Sequence, residues 1–185
     1  SGKSLITVLL GKASKKLSIK TLIIDFDIIN NSINTLFKVP RYFDFDMKNI
    51  SSFITHITNS LDIFCGIDML FSQDNKISIE KVSCIIEKLK DTYDLILIDT
   101  SSETTLKYIK TVLNVCDKIL FLIEPNLLEI KKAEQLIEIY VEDWEIPKEK
   151  INILLNKVNG HSIAQEIINN IFENFRIVGK ISSIY

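Results

Sequence analysis

The stretch SGKSLITVLLGKASKKLSIKTLIIDFD, residues 1–27, decides how the chain is read. It joins two chemically distinct pieces. At its start, Gly-Lys-Ser opens a helical pattern. At its end, the apolar run TLIID (21–25) closes on a pair of acids, Asp25 and Asp27. Gly-Lys-Ser at a helix start has the form of the last residues of a phosphate-binding loop. There, glycine lets backbone N–H groups face the phosphates, a lysine reaches the β and γ phosphates, and a hydroxyl binds Mg²⁺. The N-terminal end of the helix favours the same anions. Alone, the tripeptide is weak evidence, since a polar terminus also reads this way.

Further acids raise its weight. LILID (95–99) is a second apolar run ending in a carboxylate, Asp99. In an open α/β sheet such an acid lies at the ligand-binding edge and can hold Mg²⁺ through water. The alternative is an Asp that caps the next turn. Asp25 and Asp27, two apart, fall on one side of an extended backbone. Two acids there are unfavourable unless cations or hydrogen bonds compensate. The alternative is a solvated strand end.

The bulk numbers set the frame. The chain has 185 residues, 46% hydrophobic and 25% charged, which suits one domain with a full core and argues against disorder. A net charge of −2 and a pI near 5.8 disfavour nucleic-acid binding through the overall field. Cys65, Cys84 and Cys116 are far apart, form no CxxC pair and read as free thiols in a reducing cytoplasm. No apolar run reaches the ~18–20 residues that span a bilayer, and no signal peptide is evident.

Apolar runs recur along the chain: TLIID, LDIF (61–64, the weakest), LILID, KILFLIE (118–124), INILLN (151–156) and FRIVGKI (175–181). In TLIID, LILID, KILFLIE and INILLN the near-continuous Ile/Leu runs predict parallel strands covered on both faces. Between them lie helical stripes: Leu5, Leu9, Ala13 and Leu17; Ile79, Val82, Ile85, Ile86 and Leu89; Ile130, Ala133, Leu136, Ile137 and Tyr140; Ile163, Ile167, Ile168, Ile171 and Phe172. Residues 104–113 are read as helical and 38–49 as a loop. Each stripe is expected to face the core. The pattern predicts an α/β fold, a mostly parallel twisted sheet with helices on both faces, in a single domain over 1–185.

His56 and His161 lack nearby metal-ligand partners and read as surface or helix-start residues. Asn159-Gly160 marks a turn. Trp144 is expected to anchor a helix end.

Taken together, these elements resemble the ParA/MinD group of deviant Walker P-loop ATPases, within the signal-recognition and nitrogenase-iron-protein class. The resemblance rests first on GKSLITVLLGKASKKLSIKTLIIDFD (2–27), in which a Gly-Lys-Ser, a helix and an Asp-x-Asp strand end keep the family spacing without gaps. YDLILIDTS (93–101) resembles the Walker B element. CDKILFLIEPNLLEIKKAEQLIE (116–138), INILLNKVN (151–159) and FRIVGKISSIY (175–185) resemble the later elements.

The resemblance implies ATP and Mg²⁺ as ligands. It implies that Gly2, Lys3 and Ser4 bind the phosphates and that Lys3 and Asp27 are catalytic, Asp27 positioning or activating the attacking water. It implies Ser4, Asp99 and Asp25 at the metal and Asn156 at the adenine. It implies an ATP-dependent homodimer, read or stimulated by a protein partner, in the bacterial cytoplasm. Pilus assembly or subcellular localisation is slightly favoured over DNA partition. Peripheral membrane binding is not indicated.

The chain also departs from the family. The signature lysine, the start of the loop and the first, central strand would precede Ser1. The stretch is therefore expected to be a fragment that binds ATP poorly, with hydrolysis belonging to the intact parent. The Walker B tail reads Asp99-Thr100-Ser101-Ser102 without the usual prolines. Two alternatives follow: a non-hydrolysing regulatory scaffold of the same fold, and a bacterial tyrosine kinase domain. The latter lacks its usual Arg after Asp27 and its tyrosine-rich tail.

Overall fold

A computed structural model describes residues 2–27, 32–40, 42, 47–65, 79–101 and 107–183. The helix α1 spans Lys3–Lys16 and strand β1 Thr21–Phe26. They are followed by α2 (Ser32–Phe37), β2 (Thr55–Thr58), β3 (Leu61–Cys65), α3 (Ile79–Leu89), β4 (Leu95–Thr100) and α4 (Lys107–Val115). Then come β5 (Ile119–Ile123), α5 (Leu127–Glu138), β6 (Ile151–Val158), α6 (Gln165–Ile171) and β7 (Arg176–Ser182). The order is that of an α/β protein, and every strand pairing is parallel except β2 with β3. The chain forms two compact units, residues 3–111 and residues 112–185 with 1–2.

In the first unit the strand order is β2-β3-β1-β4. β1 is buried along its whole length, as its unbroken apolar run requires. So is β3, the LDIF run that reads as the weakest strand, and its burial includes Asp62. That carboxylate is buried but satisfied: it accepts from the Tyr93 hydroxyl at 2.8 Å and pairs with His56 Nδ1 at 2.7 Å. β4 ends the sheet among the described strands, and most of it is only half-buried. β2 is short and polar and has no counterpart among the predicted runs. Val8, Ile23, Ile33, Val39, Leu61, Ile63 and Cys65 form one buried cluster.

The predicted core stripe of α1 is wrong. Leu5, Leu9 and Leu17 are 55%, 50% and 71% exposed, and Ala13 is exposed as well. The helix instead buries Ile6, Val8, Gly11 and Ser14. Small residues let it lie close on the sheet. A Cβ on Gly11 would stand 2.8 Å from Ile23 Cδ1. Ser14 continues the contact by hydrogen bonding, donating to the Gly11 carbonyl at 2.8 Å and accepting from Thr21 Oγ1 at 2.6 Å. Close packing of a face that pairs Ile6 and Val8 with the small Gly11 and Ser14 overrides the leucine pattern. On α3, Val82, Ile85 and Leu89 are buried as predicted, while the side chain of Ile79 lies outside the described residues.

In the second unit β5-β6-β7 are parallel in that order. Ile130, Ala133 and Ile137 of α5, and Tyr140 just beyond it, are buried as the periodicity predicts, while Leu136 of the same stripe is only half-buried. Asn126 caps this helix by accepting from the Glu129 N–H at 3.0 Å. Its far end closes in a π turn over 139–143, with Trp144 stacked on Tyr140 at 4.9 Å between ring centroids. Trp144 therefore sits at a helix end, as expected. α6 buries Ile168, with Phe172 just beyond it, but leaves Ile167 50% exposed, against the predicted stripe. β7 alternates exposed and half-buried residues along its length. His161 lies in a turn, its N–H donating to Asn159 Oδ1 at 2.9 Å. The start of the predicted 104–113 helix and much of the 38–49 loop fall outside the described residues.

Candidate functional site

The first unit brings together five of the predicted site residues at one end of its sheet. β1 and β4 run parallel with Asp25 level with Asp99 and Phe26 level with Thr100. Both carboxylates therefore stand at the C-terminal edge, where open α/β sheets bind ligands. α1 begins at Lys3, so Lys3 and Ser4 occupy its first turn. The N–H groups of that turn have no intrahelical acceptor and carry the positive end of the helix dipole.

The acids are buried: Asp25 is 6%, Asp27 5% and Asp99 1% exposed. β1 ends at Phe26, and the chain then turns. The Asp27 N–H donates to Asp25 Oδ1 at 3.0 Å, closing a turn on the acid two residues before it. Cys65 Sγ lies 3.9 Å from Asp25 Oδ2, a weak donor at most.

Asp99 is the unusual member. Both of its carboxylate oxygens are shut away from solvent, and neither has a hydrogen-bond partner of ordinary geometry among the described residues. Burial pushes its pKa up to about 6. The nearby Ser4 hydroxyl works against this, the Asp27 charge adds to it, and the Lys3 ammonium opposes it. A buried, unpartnered carboxylate is costly unless a cation or donor completes it. A serine hydroxyl beside strand-end carboxylates is the kind of oxygen donor set that suits Mg²⁺, which keeps much of its own water. Among the described residues no group of three His, Cys, Asp or Glu side chains forms a denser cage.

Gly2 and Asn156 belong to the second unit and meet there. Gly2 has φ +82°, the left-handed region that glycine tolerates, and a Cβ on it would stand 2.9 Å from Asn156 Nδ2. Asn156 is buried on β6. The next residue, Lys157, also takes a left-handed φ of 57°, and the β6–β7 register shifts over this stretch. Lys157 pairs with Glu124 at 2.6 Å.

No family model matches the chain, and no curated protein matches it. Solved structures do. A ParA family ATPase from Chlorobium tepidum TLS matches with a TM-score of 0.76 at 20% identity, over 95% of this chain and 78% of that one. MinD in the MinC:MinD cell division complex of Aquifex aeolicus matches with a TM-score of 0.79 at 22% identity, over 98% of this chain and 76% of that one. The chain has the ParA/MinD ATPase fold. A third ParA/MinD-type neighbour, a putative plasmid partition protein from Borrelia burgdorferi B31 bound to AMPPNP, matches with a TM-score of 0.74 at 20% identity, over 98% and 80% of the two chains. At these identities the likeness is one of fold, and the site residues rest on their geometry in this chain.

Sequence reading missed two residues that bear on this strand edge. The Tyr108 hydroxyl donates to the Phe26 carbonyl at 3.0 Å and lies 3.0 Å from Ser101 Oγ. Ser101 was visible only as a departure from the family's prolines. Tyr108 gave no signal, because it lies 82 residues from Phe26 inside an ordinary amphipathic pattern.

Proposed function

We propose that these residues form the catalytic core of a magnesium-dependent ATPase that uses nucleotide-driven dimerisation as a switch. One observation carries the reading. Asp99 is buried, with no hydrogen-bond partner of ordinary geometry among the described residues, and Ser4, Lys3 and Asp27 lie beside it. That arrangement is costly when empty and favourable around a magnesium nucleotide. The AMPPNP bound by a neighbour of the same fold supports ATP as the ligand class.

Each residue then has a role. The ammonium of Lys3 and the first-turn N–H groups of α1 neutralise and orient the terminal phosphates. Ser4 and Asp99 hold the metal, and Asp25 supports them. Bound Mg²⁺ supplies charge shielding on the phosphate oxygens. Asp27 orients a water in line with the γ-phosphorus and draws on its proton as it attacks. The new bond forms to the water oxygen while the bond to the bridging oxygen of ADP breaks. Gly2 permits close approach of the backbone to phosphate, and Asn156 hydrogen-bonds the base.

The solved neighbours match 95% or 98% of the chain, which supports one ATPase domain over 1–185. A second copy of the chain and a protein that reads the ATP-bound dimer are the proposed partners, acting in the cytoplasm. The MinC:MinD complex supports a protein partner of this type. A net charge of −2 disfavours nucleic acid as the principal partner.

The test is ATP binding and phosphate release by the full-length gene product, with and without Mg²⁺. Magnesium-dependent turnover, lowered about 100-fold or more by Lys3→Ala, is expected. Tight ATP binding without turnover would instead indicate a non-hydrolysing scaffold, and no binding at all would remove the nucleotide reading.

A further inference from the structure

The peptide group between Phe26 and Asp27 is held at both of its polar ends. Its carbonyl oxygen accepts from the Tyr108 hydroxyl at 3.0 Å. Its N–H, that of Asp27, donates to Asp25 Oδ1 at 3.0 Å. A peptide group is planar, so pinning both O and N–H fixes the plane and with it the direction of the Asp27 N–Cα bond, which leaves φ as the one backbone torsion still setting where the Asp27 side chain departs. This matters because Asp27 lies one residue beyond the last residue of β1, where the ladder no longer dictates its orientation.

The clamp reaches β4 as well. Tyr108 has one hydroxyl proton, and the Phe26 carbonyl takes it. At 3.0 Å, Ser101 Oγ must therefore be the donor to the Tyr108 oxygen. Ser101 follows Asp99 by two residues and is itself buried. A single phenol thus ties the end of β1, just before Asp27, to the residue that follows β4, the strand that carries Asp99. The phenol is 1% exposed, so water does not compete for these bonds. Burial also pushes the Tyr108 pKa up, which keeps the hydroxyl in its donating form.

We propose that Tyr108, oriented by Ser101, is a positioning residue that fixes the Asp27 carboxylate relative to Asp99. The consequence for turnover rests on the ATPase reading above; the consequence for the peptide geometry does not. Loss of the phenol hydroxyl leaves the Phe26–Asp27 peptide held only at its N–H, by Asp25, so that its plane can tilt. Asp27 would then reach its working direction only part of the time, while groups that grip the phosphates stay where they are. The effect should fall on kcat and not on KM.

Tyr108→Phe and Ser101→Ala, in the full-length gene product, test this with two readouts. One is steady-state phosphate release across MgATP concentrations. The other is amide hydrogen exchange, site by site, without nucleotide. For Tyr108→Phe we expect kcat to fall about tenfold with KM within twofold, and the Asp27 amide to exchange about tenfold faster while Ile23 and Ile24 amides stay within twofold. Ser101→Ala, which leaves the Tyr108–Phe26 bond in place and is the gentler substitution for folding, should shift both in the same direction by about threefold. Unchanged Asp27 exchange in both variants overturns the clamp. Faster exchange with unchanged kcat overturns its role in the reaction. If the unsubstituted protein releases no phosphate, the ATPase reading fails alone, and amide exchange still decides the positioning claim.

Discussion

Asp25 and Asp99 face each other as register partners on two neighbouring parallel strands, β1 and β4. Asp25 accepts the Asp27 N–H at 3.0 Å, whereas Asp99 has no hydrogen-bond partner of ordinary geometry among the described residues. One strand edge thus presents a satisfied acid and an unsatisfied one side by side.

This difference predicts a pH effect. Burial raises the Asp99 pKa to about 6 in the folded state, above its ordinary value of 3.8. Between those values the folded state holds a proton that the unfolded state has lost. Stability must then fall as pH rises through that window. The loss should be on the order of 3 kcal/mol when ionisation is complete. Urea unfolding of metal-free protein from pH 4 to 7.5 would show it as a difference between the unsubstituted chain and Asp99→Asn, since other carboxylates titrate in both. The Asn variant should be the more stable at pH 7.5. Parallel curves would mean that Asp99 is solvated or partnered.

The exposed leucines of α1 give a second expectation. Leu9→Lys should change stability by no more than about 0.5 kcal/mol, as for other exposed sites. Gly11→Val should cost about 2 kcal/mol or more, because even a Cβ there meets Ile23 Cδ1 at 2.8 Å. Chemical denaturation of the two variants checks both. A large loss with Leu9→Lys and none with Gly11→Val would restore the leucine stripe as the buried face.

What the sequence made legible was whatever had a local, periodic signature. The unbroken Ile/Leu runs of β1 and β6 announced buried parallel strands. The spacing from Gly-Lys-Ser to Asp27 announced the strand-edge acids. α1 misled because its packing face joins Ile6 and Val8 to Gly11 and Ser14, which carry no hydropathy signal and so break the apolar stripe, while Leu5, Leu9 and Leu17 point outward. β3 was underrated because the partners that make Asp62 tolerable, His56 and Tyr93, sit on other segments. Tyr108 was invisible for the same reason. Hydrogen bonds between distant residues leave no periodicity to read.

The Asp62 cluster yields a third expectation. Tyr93→Phe removes the donor to a carboxylate oxygen that is itself buried, and should cost about 1–3 kcal/mol. His56→Ala removes a partner whose side chain is 78% exposed, so water can replace it and the loss should stay under about 1 kcal/mol. Unfolding free energies at pH 7 would rank the two. Equal losses would contradict the inward placement of the phenol.

Gly2→Ala probes the second unit. The substitution forces a side chain into a left-handed φ of +82° and against Asn156. We expect ATP affinity to fall about tenfold with little change in the cooperativity of unfolding. Calorimetric titration with ATP is the check, and undiminished affinity would remove Gly2 and its contact with Asn156 from the nucleotide site.

The most direct test compares magnesium-dependent ATP turnover by the full-length gene product and its Asp27→Ala variant, with ATP binding measured alongside. If Asp27 positions the attacking water, turnover should fall about 100-fold or more while ATP binding is retained. Turnover that survives Asp27→Ala unchanged would contradict the catalytic reading of this strand edge.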